Sequence, residues 1–307
     1  MIDFCLRRIL SSLPLGLAVI GLVALLIHLV PGDPVDAIAG PFASAEEKLT
    51  LKHALGLDAP VGQQLATYYS QLAHGSLGIS LIHRRPVTEL IAERVGPTFE
   101  LALCAIFVSI IVSLPLGIFA AIKEGRPLDT ILMAIALIGV SVPTFWIGPL
   151  LVTIFALKLD WLPVSERSTW QSYILPSVTM GVALAGVLSR MTRTAMLDVM
   201  KEDFVRTARA KGNRESTVIL KHVLRNAALP LITIIGLQFG VLLTGAIITE
   251  RIFDWPGLGS LIIEGINTRD YPVVQGCVLL FSLTYLIVNL LMDIAYAIAD
   301  PRIKIDA

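Results

Sequence analysis

Hydrophobic residues fall into six long stretches, about 9–30, 98–122, 131–157, 173–194, 230–249 and 273–298, with polar segments between them. A helix that crosses a membrane needs roughly 20 apolar residues at about 1.5 Å rise each, so every stretch predicts one span. Polar residues or proline interrupt the third and fourth. Pro14, Pro115, Pro143 and Pro176 lie inside predicted spans, where neighbouring helices can satisfy the carbonyls that proline frees. Ser141–Trp146 (SVPTFW) reads either as a packing kink or as a kink that shapes a pathway. Gly236 and Gly240 make a GxxxG pair on the fifth span, a pattern for close helix packing.

Basic residues near the span ends orient the chain. With the N-terminus inside, the inner side holds Arg7, Arg8, Lys123, Arg126, nine Lys/Arg from Arg190 to Arg225, Arg302 and Lys304. The opposite side holds the other nine, five of them in one long loop that counts little. An even number of spans then leaves both termini in the cytoplasm. Arg7-Arg8 before an apolar run also suits a signal peptide, but the run is too long and no small-residue cleavage site follows, so it reads as an uncleaved first span. The outer loop 31–97 is patterned. Ser44-Ala-Glu-Glu47 is a capping box opening a helix that Gly56 can close. Pro86 opens a second helix with Val87, Leu90, Ile91 and Val95 at amphipathic spacing. A small folded cap on the outer surface is expected.

Asp203–Pro230 is a polar island between two apolar runs, carrying Arg206, Arg209, Lys211, Arg214, Lys221 and Arg225. Each charge would cost several kcal/mol in lipid, so the island must emerge on one face. Asp203 can N-cap a short helix over Phe204–Lys211, and Gly212 suits the left-handed residue that ends it. Lys211 sits well against the negative end of that helix. Phe204, Thr207, Ala208 and Lys211 share one face, on which Phe204 is the only large apolar group and the small Ala208 allows close approach. A second helix, about Arg214–Arg225, is expected before Pro230 opens the next span. The island reads as a docking helix for a cytoplasmic protein, or as a basic loop touching lipid headgroups.

Composition confirms the membrane class. Of 307 residues, 55% are hydrophobic and only 16% charged, with mean hydropathy +0.77, where a soluble domain carries about 25% charge. Zero net charge leaves no basic surplus for nucleic acid. Cys5, Cys104 and Cys277 form no spaced pattern, as expected of thiols packed as small hydrophobes. No GxxxxGK[ST] loop is present, so the chain is not expected to hydrolyse ATP itself; HExxH, GxSxG and CxxC are also absent. The five histidines include no i, i+4 pair, and no metal site is expected. Gln238, Asn289 and Asp293 are the notable polar residues within spans. Asn289 and Asp293 share a helix face, and all three read as interhelical hydrogen-bonding groups or as pathway lining.

RTARAKG followed by HVLRNAALP resembles the cytoplasmic coupling loop of ABC importer permeases, and more closely that of the dipeptide/oligopeptide/nickel permease family, including its glutathione-import members. Nearly the whole chain is similar to that family: PGDP (Pro31–Pro34), LGLDAP (Leu55–Pro60), GSLGIS (Gly75–Ser80), RPV (Arg85–Val87), SVPTFW, DWLP (Asp160–Pro163), YILPS (Tyr173–Ser177), FDWPGLG (Phe253–Gly259), RDYPVVQ (Arg269–Gln275) and DPRI (Asp300–Ile303). Such loops carry Glu-Ala-Ala, three residues, then Gly. Counting back from Gly212 puts Arg206, Thr207 and Ala208 there, so the Glu is absent, as in the peptide group's own version.

The resemblance implies an all-α, six-span protein like a type I ABC importer permease, in a bacterial inner membrane. Its regions are an N-terminal span (1–30), an external loop with short helices (31–97), a five-helix core (98–298) containing the coupling loop (195–229), and a cytoplasmic tail (299–307). It also implies a second homologous permease subunit, two cytoplasmic ATPases, which use ATP and Mg, and an external substrate-binding protein. Lipid surrounds the chain, and no cofactor is bound by it. Phe204, Thr207, Ala208, Arg209, Lys211, Gly212 and His222 are the expected coupling contacts, with Arg225 and Asn226 supporting the loop. Trp255, Pro256 and Gly257 are expected to form a tight re-entrant turn facing the substrate donor, an outer gate. Short peptides, glutathione or a nickel chelate are the implied cargo. The competing readings are a stand-alone secondary transporter or channel, which would act without a partner ATPase, and a membrane scaffold with no transported solute.

Overall fold

A computed structural model describes residues 2–29, 35, 43–54, 58–164 and 167–299. Among them the regular elements are helices. In chain order these are α1 (Ile2–Leu29), α2 (Ala45–Ala54), α3 (Val61–Ala73), α4 (Val87–Ile122), α5 (Pro127–Ser141) and α6 (Thr144–Leu151). Then come α7 (Ile174–Met200), α8 (Asp203–Ala210), α9 (Leu224–Gly245), α10 (Ile247–Ile252), α11 (Leu258–Asn267) and α12 (Tyr271–Ala299). Four stretches are long and apolar enough to cross a membrane: Val87–Ile122, Trp170–Met200, Glu215–Leu243 and Tyr271–Met292. A fifth exists if Pro127–Ser141 and Thr144–Lys158, bent by 96°, count as one broken span. The apolar stretch described in α1, Leu10–Leu25, is shorter.

The break has a local cause. A residue before proline is disfavoured in the α region, and Val142, before Pro143, is extended at φ −85°, ψ 122°. Beyond it, Val152–Lys158 winds as a wider π-helical turn, and Asp160 takes φ 53°. Elsewhere proline is carried inside helices. Pro230 lies within α9, which corrects its expected place at the start of a span. Pro97 lies within α4, so the amphipathic outer helix and the second span are one continuous element.

By internal contact the chain forms two compact units. The first comprises Met1–Thr98 and Pro256–Leu290. Here the expected capping box is present: the Ser44 N–H donates to Glu47 Oε2 at 2.7 Å and the Glu47 N–H to Ser44 Oγ at 3.2 Å. The Ser44 backbone donor holds the Glu47 carboxyl below its ordinary range. Gly56, Pro31–Pro34 and Asp300–Ile303 lie outside the described residues. Asp270, 1% exposed, organises the 75–86 loop. Its carboxylate accepts the Ser80 hydroxyl at 2.5 Å and the N–H groups of Leu81 and Ile82 at 3.2 and 3.3 Å. Gly276 lies against Val87 and Ile91, leaving no room for a side chain. The Gln275 amide donates to the carbonyls of Val23 and Ala24 at 3.2 Å.

The second unit comprises Phe99–Trp255 and Leu291–Ala307, and α7 is its centre. Small residues let helices approach backbone to backbone. A Cβ on Gly117 would stand 2.6 Å from the Ser189 carbonyl, and one on Gly181 would stand 2.8 Å from that of Ala105. A Cβ on Gly186 would strike the Ala136 carbonyl and Val140. Thr179, Ser189 and Thr192 are buried in this helix and donate their hydroxyls to carbonyls one turn back, which leaves none of the three as a lone donor in the interior.

Overpacking a close-packed site costs about 1–3 kcal/mol, so Gly186→Ala should lower the melting temperature of the detergent-purified protein. Gly96→Ala, where a new Cβ meets nothing within 4 Å, should leave it unchanged or raise it.

Candidate functional site

The polar island folds into α8, a tight turn and the start of the next long helix. Glu202, extended at φ −69°, ψ 145°, is the N-cap residue and makes no side-chain cap bond. Asp203 is therefore the first helical residue rather than the cap, where its carboxylate still favours the positive helix end. At the other end Gly212 adopts φ 75° as expected, and its N–H donates to the Arg209 carbonyl at 2.9 Å. Two residues not expected from the sequence close the turn. Asn213 donates its amide to the Ala208 carbonyl at 3.0 Å. Glu215 accepts from Arg209 Nη2 and Nε, at 2.7 and 3.2 Å, and this pairing pushes the Arg209 guanidinium further above its usual value.

The helix has two different faces. Val205 and Ala208, 0% and 7% exposed, pack inward on Ala121, Met196, Leu197, Val218, Ile219, Val223 and Ala227. Ala208 thus packs α8 against its own protein, with 7% of its surface exposed. The spacing of Val205 and Ala208, three residues apart, was the available signal. On the outer face Phe204 is 42% exposed, and Thr207, Arg209, Lys211 and Gly212 are exposed with it.

After a single turn at Glu215–Thr217, Val218–Val223 forms a second π-helical turn leading directly into α9. No separate helix ends at Arg225. His222 is half-buried in the π turn, and the Asn226 amide donates to its carbonyl at 2.6 Å; Arg225 is exposed.

The remaining expected residues scatter. The Gln238 amide donates to the Leu184 carbonyl of α7 at 3.4 Å, a bond between helices. Asn289 is half-buried on α12, and the side chain of Asp293 lies outside those described. Trp255 is 1% exposed, packed among Leu101, Ala102, Met180 and Leu242, with its ring edge-on to Tyr173 at 4.7 Å. The Trp255 side chain of the expected outer-gate turn is thus buried within its own protein. Pro256 is half-buried, and the buried Gly257 caps α11 in extended conformation. Arg167, unnoticed in the sequence, forks onto Glu100, its Nη2 donating to Oε1 at 2.7 Å and its Nε to Oε2 at 3.0 Å, and Tyr173 donates to the same carboxylate at 2.7 Å. Another unforeseen fork joins Arg193 of α7 to Asp129 of α5, with both bonds at 2.7 Å. Among the described residues no group of three His, Cys, Asp or Glu is placed to hold a metal ion.

Residues 113–305 match the family described as binding-protein-dependent transport system inner membrane component, and residues 1–102 match its N-terminal counterpart. The chain belongs to this permease family. The glutathione transport system permease protein GsiC of Salmonella choleraesuis (strain SC-B67) is 45% identical over 304 residues, covering 99% of each chain. Its counterpart in Escherichia coli (strain K12) is 44% identical over the same length and coverage. Among solved structures, the inward-facing MetNI methionine ABC transporter aligns with TM-score 0.56 at 19% identity, over 68% of this chain and 96% of that one. An amino acid ABC transporter crystallised with histidines aligns at 0.51 and 13%, over 70% and 95%. At those identities the structural likeness concerns the fold. The permease is the membrane component of an ABC importer and is not itself catalytic.

Removing a buried aromatic ring costs about 3–5 kcal/mol, so Trp255→Ala should lower the melting temperature of the permease by several degrees. Trp255→Phe, which keeps an edge-on ring against Tyr173, should lose much less.

Proposed function

We propose that α8 is the point where energy from ATP, hydrolysed with Mg on two partner ATPases, enters this permease. The single observation carrying the proposal is the split of α8 into a face welded to its own bundle by Val205 and Ala208 and an exposed face led by Phe204. An anchored helix with one protruding aromatic ring delivers a push on that ring to the helices behind it. Phe204, Thr207, Arg209, Lys211 and Gly212 are the proposed contacts, with His222 behind them and Arg225 and Asn226 as support. Glu215 and Asn213 hold the turn in shape.

On this reading α8 faces the cytoplasm, as the basic residues from Arg190 to Arg225 suggest, and α1 is the sixth span, which places both termini inside. A second homologous permease subunit completes the pathway, and an external binding protein delivers the solute. ATP closes the two ATPases, and the docked helices pass that rigid-body motion to the spans. The equilibrium shifts because ATP favours one arrangement over the other. The cargo is glutathione or a short peptide; the full-length 44–45% identity to glutathione permeases supports it.

A Cβ added at Gly212 would meet nothing within 4 Å, but the backbone there is left-handed, so Gly212→Val strains only the turn, by about 1–2 kcal/mol. Membrane insertion should survive while ATP-driven uptake is lost. Phe204→Ala should likewise spare insertion and weaken ATPase association in pull-down. Normal uptake by both variants would falsify the coupling assignment. Separately, proteoliposomes holding the complete importer should accumulate labelled glutathione only with ATP inside the compartment that α8 faces. If an unrelated dipeptide is taken up and glutathione is not, the cargo is a peptide of another kind.

A further inference from the structure

We propose that the Asp129–Arg193 pair is a positioning clamp that carries movement of α8 into the first half of the broken span; this rests on the coupling role of α8. The two side chains come from elements 64 residues apart. Asp129 Oδ1 and Oδ2 each accept one Arg193 nitrogen at 2.7 Å, and the Gly125 N–H adds a third donor at 3.1 Å. The Asp129 side chain is 8% exposed and that of Arg193 27%.

A buried ion pair is a poor source of stability, because well-packed apolar residues often hold a fold as firmly. What a forked pair supplies is a fixed distance and a fixed orientation. Here it fixes two helices that matter. Arg193 lies one turn before Met196 and Leu197, the residues of α7 on which Val205 and Ala208 of α8 are packed. Asp129 opens α5, where its charge also suits the helix N-terminus. Further along, the Ala136 carbonyl and Val140 of α5 press on Gly186, and Gly139 sits 3.1 Å, measured from an added Cβ, from the Val182 carbonyl. α5 is therefore joined to α7 at one end by charge and along its length by backbone contact.

α5 then stops at Ser141, and the chain turns through 96° at Val142–Pro143. The path from α8 runs through α7 and the clamp into α5 and ends at that bend. Past the bend, α6 packs on α7 and α10 by its own contacts. The clamp ties the N-terminal end of α5 to α7 beyond the reach of the glycine contacts at Ala136–Val140, and α6 meets α7 and α10 through contacts of its own. The Ser141–Trp146 kink thereby divides one span into two halves that are attached to α7 separately, the clamp serving the first.

The complete importer is reconstituted with Ser141→Cys in a background lacking Cys5, Cys104 and Cys277, and maleimide labelling is timed with and without ATP plus vanadate. In the parent the rate should change by about fivefold or more, the lower end of ordinary coupling between sites. Asp129→Asn should flatten that change while ATP hydrolysis stays within about twofold, since no nucleotide contact is touched. Arg193→Lys, which keeps the charge and loses the fork, should flatten it too, with normal assembly. The proposal is overturned by an unchanged labelling response in Asp129→Asn, by no response in the parent, or by loss of the assembled complex in both variants. Phe204→Ala in the same preparation separates the two ideas. If it leaves the labelling response intact, the coupling role of α8 fails; if it abolishes the response and Asp129→Asn does not, only the clamp fails.

Discussion

In lipid, apolar side chains gain nothing by leaving the surroundings for a neighbouring helix, so helices associate through close contact and hydrogen bonds. α7 is built on that constraint. Gly181 admits α4 at Ala105, Gly186 admits α5 at Ala136, and Gly117 of α4 admits α7 at Ser189. Because these contacts involve carbonyls rather than flexible side chains, they have little slack. The hydroxyls of Thr179, Ser189 and Thr192 bond within their own helix, so they place no competing polar demand on the interface. A rod held this closely on two sides moves with its neighbours or not at all, and the rest of the second unit depends on it.

α8 depends on the same rod from its far end. It is eight residues long, too short to be stable alone in water. Met196 and Leu197 at the end of α7, together with the π turn at Val218–Val223, provide the surface that holds it. The turn after α8 is fixed independently by Gly212, Asn213 and the Arg209–Glu215 pair. Packing from behind and bonding at the turn leave Phe204 with a rigid mount.

Elements with local signals were legible in the sequence. The Ser44–Glu47 capping box, the left-handed Gly212 and the kink at Pro143 each follow from residues within one turn of one another. Boundaries set by neighbouring helices were not. Pro230 looks like a helix opener by local chemistry and Pro97 closes the predicted outer loop, yet both are carried inside long helices, where packing outweighs the lost donor. At the candidate site the exposed residues were found because the sequence marks polarity. The burial of Ala208 was not legible in the residue itself, because its small size suits a partner's approach and an interior contact equally well. The Asp129–Arg193 and Glu100–Arg167 forks pair residues more than sixty positions apart, and nothing in either segment marks its partner.

Asp270 adds a consequence for how the chain is made. Its carboxylate accepts donors from Ser80, Leu81 and Ile82, which precede it by 188 to 190 residues. At a ribosome's pace of about 5–20 residues per second, those donors wait roughly 10–40 s for their acceptor. The N-terminal loop therefore leaves the ribosome early but can be fastened only by one of the last segments to follow. Its closure waits for the chain to be made through Asp270, and a product cut short before that residue would keep the donors of Ser80, Leu81 and Ile82 without this acceptor.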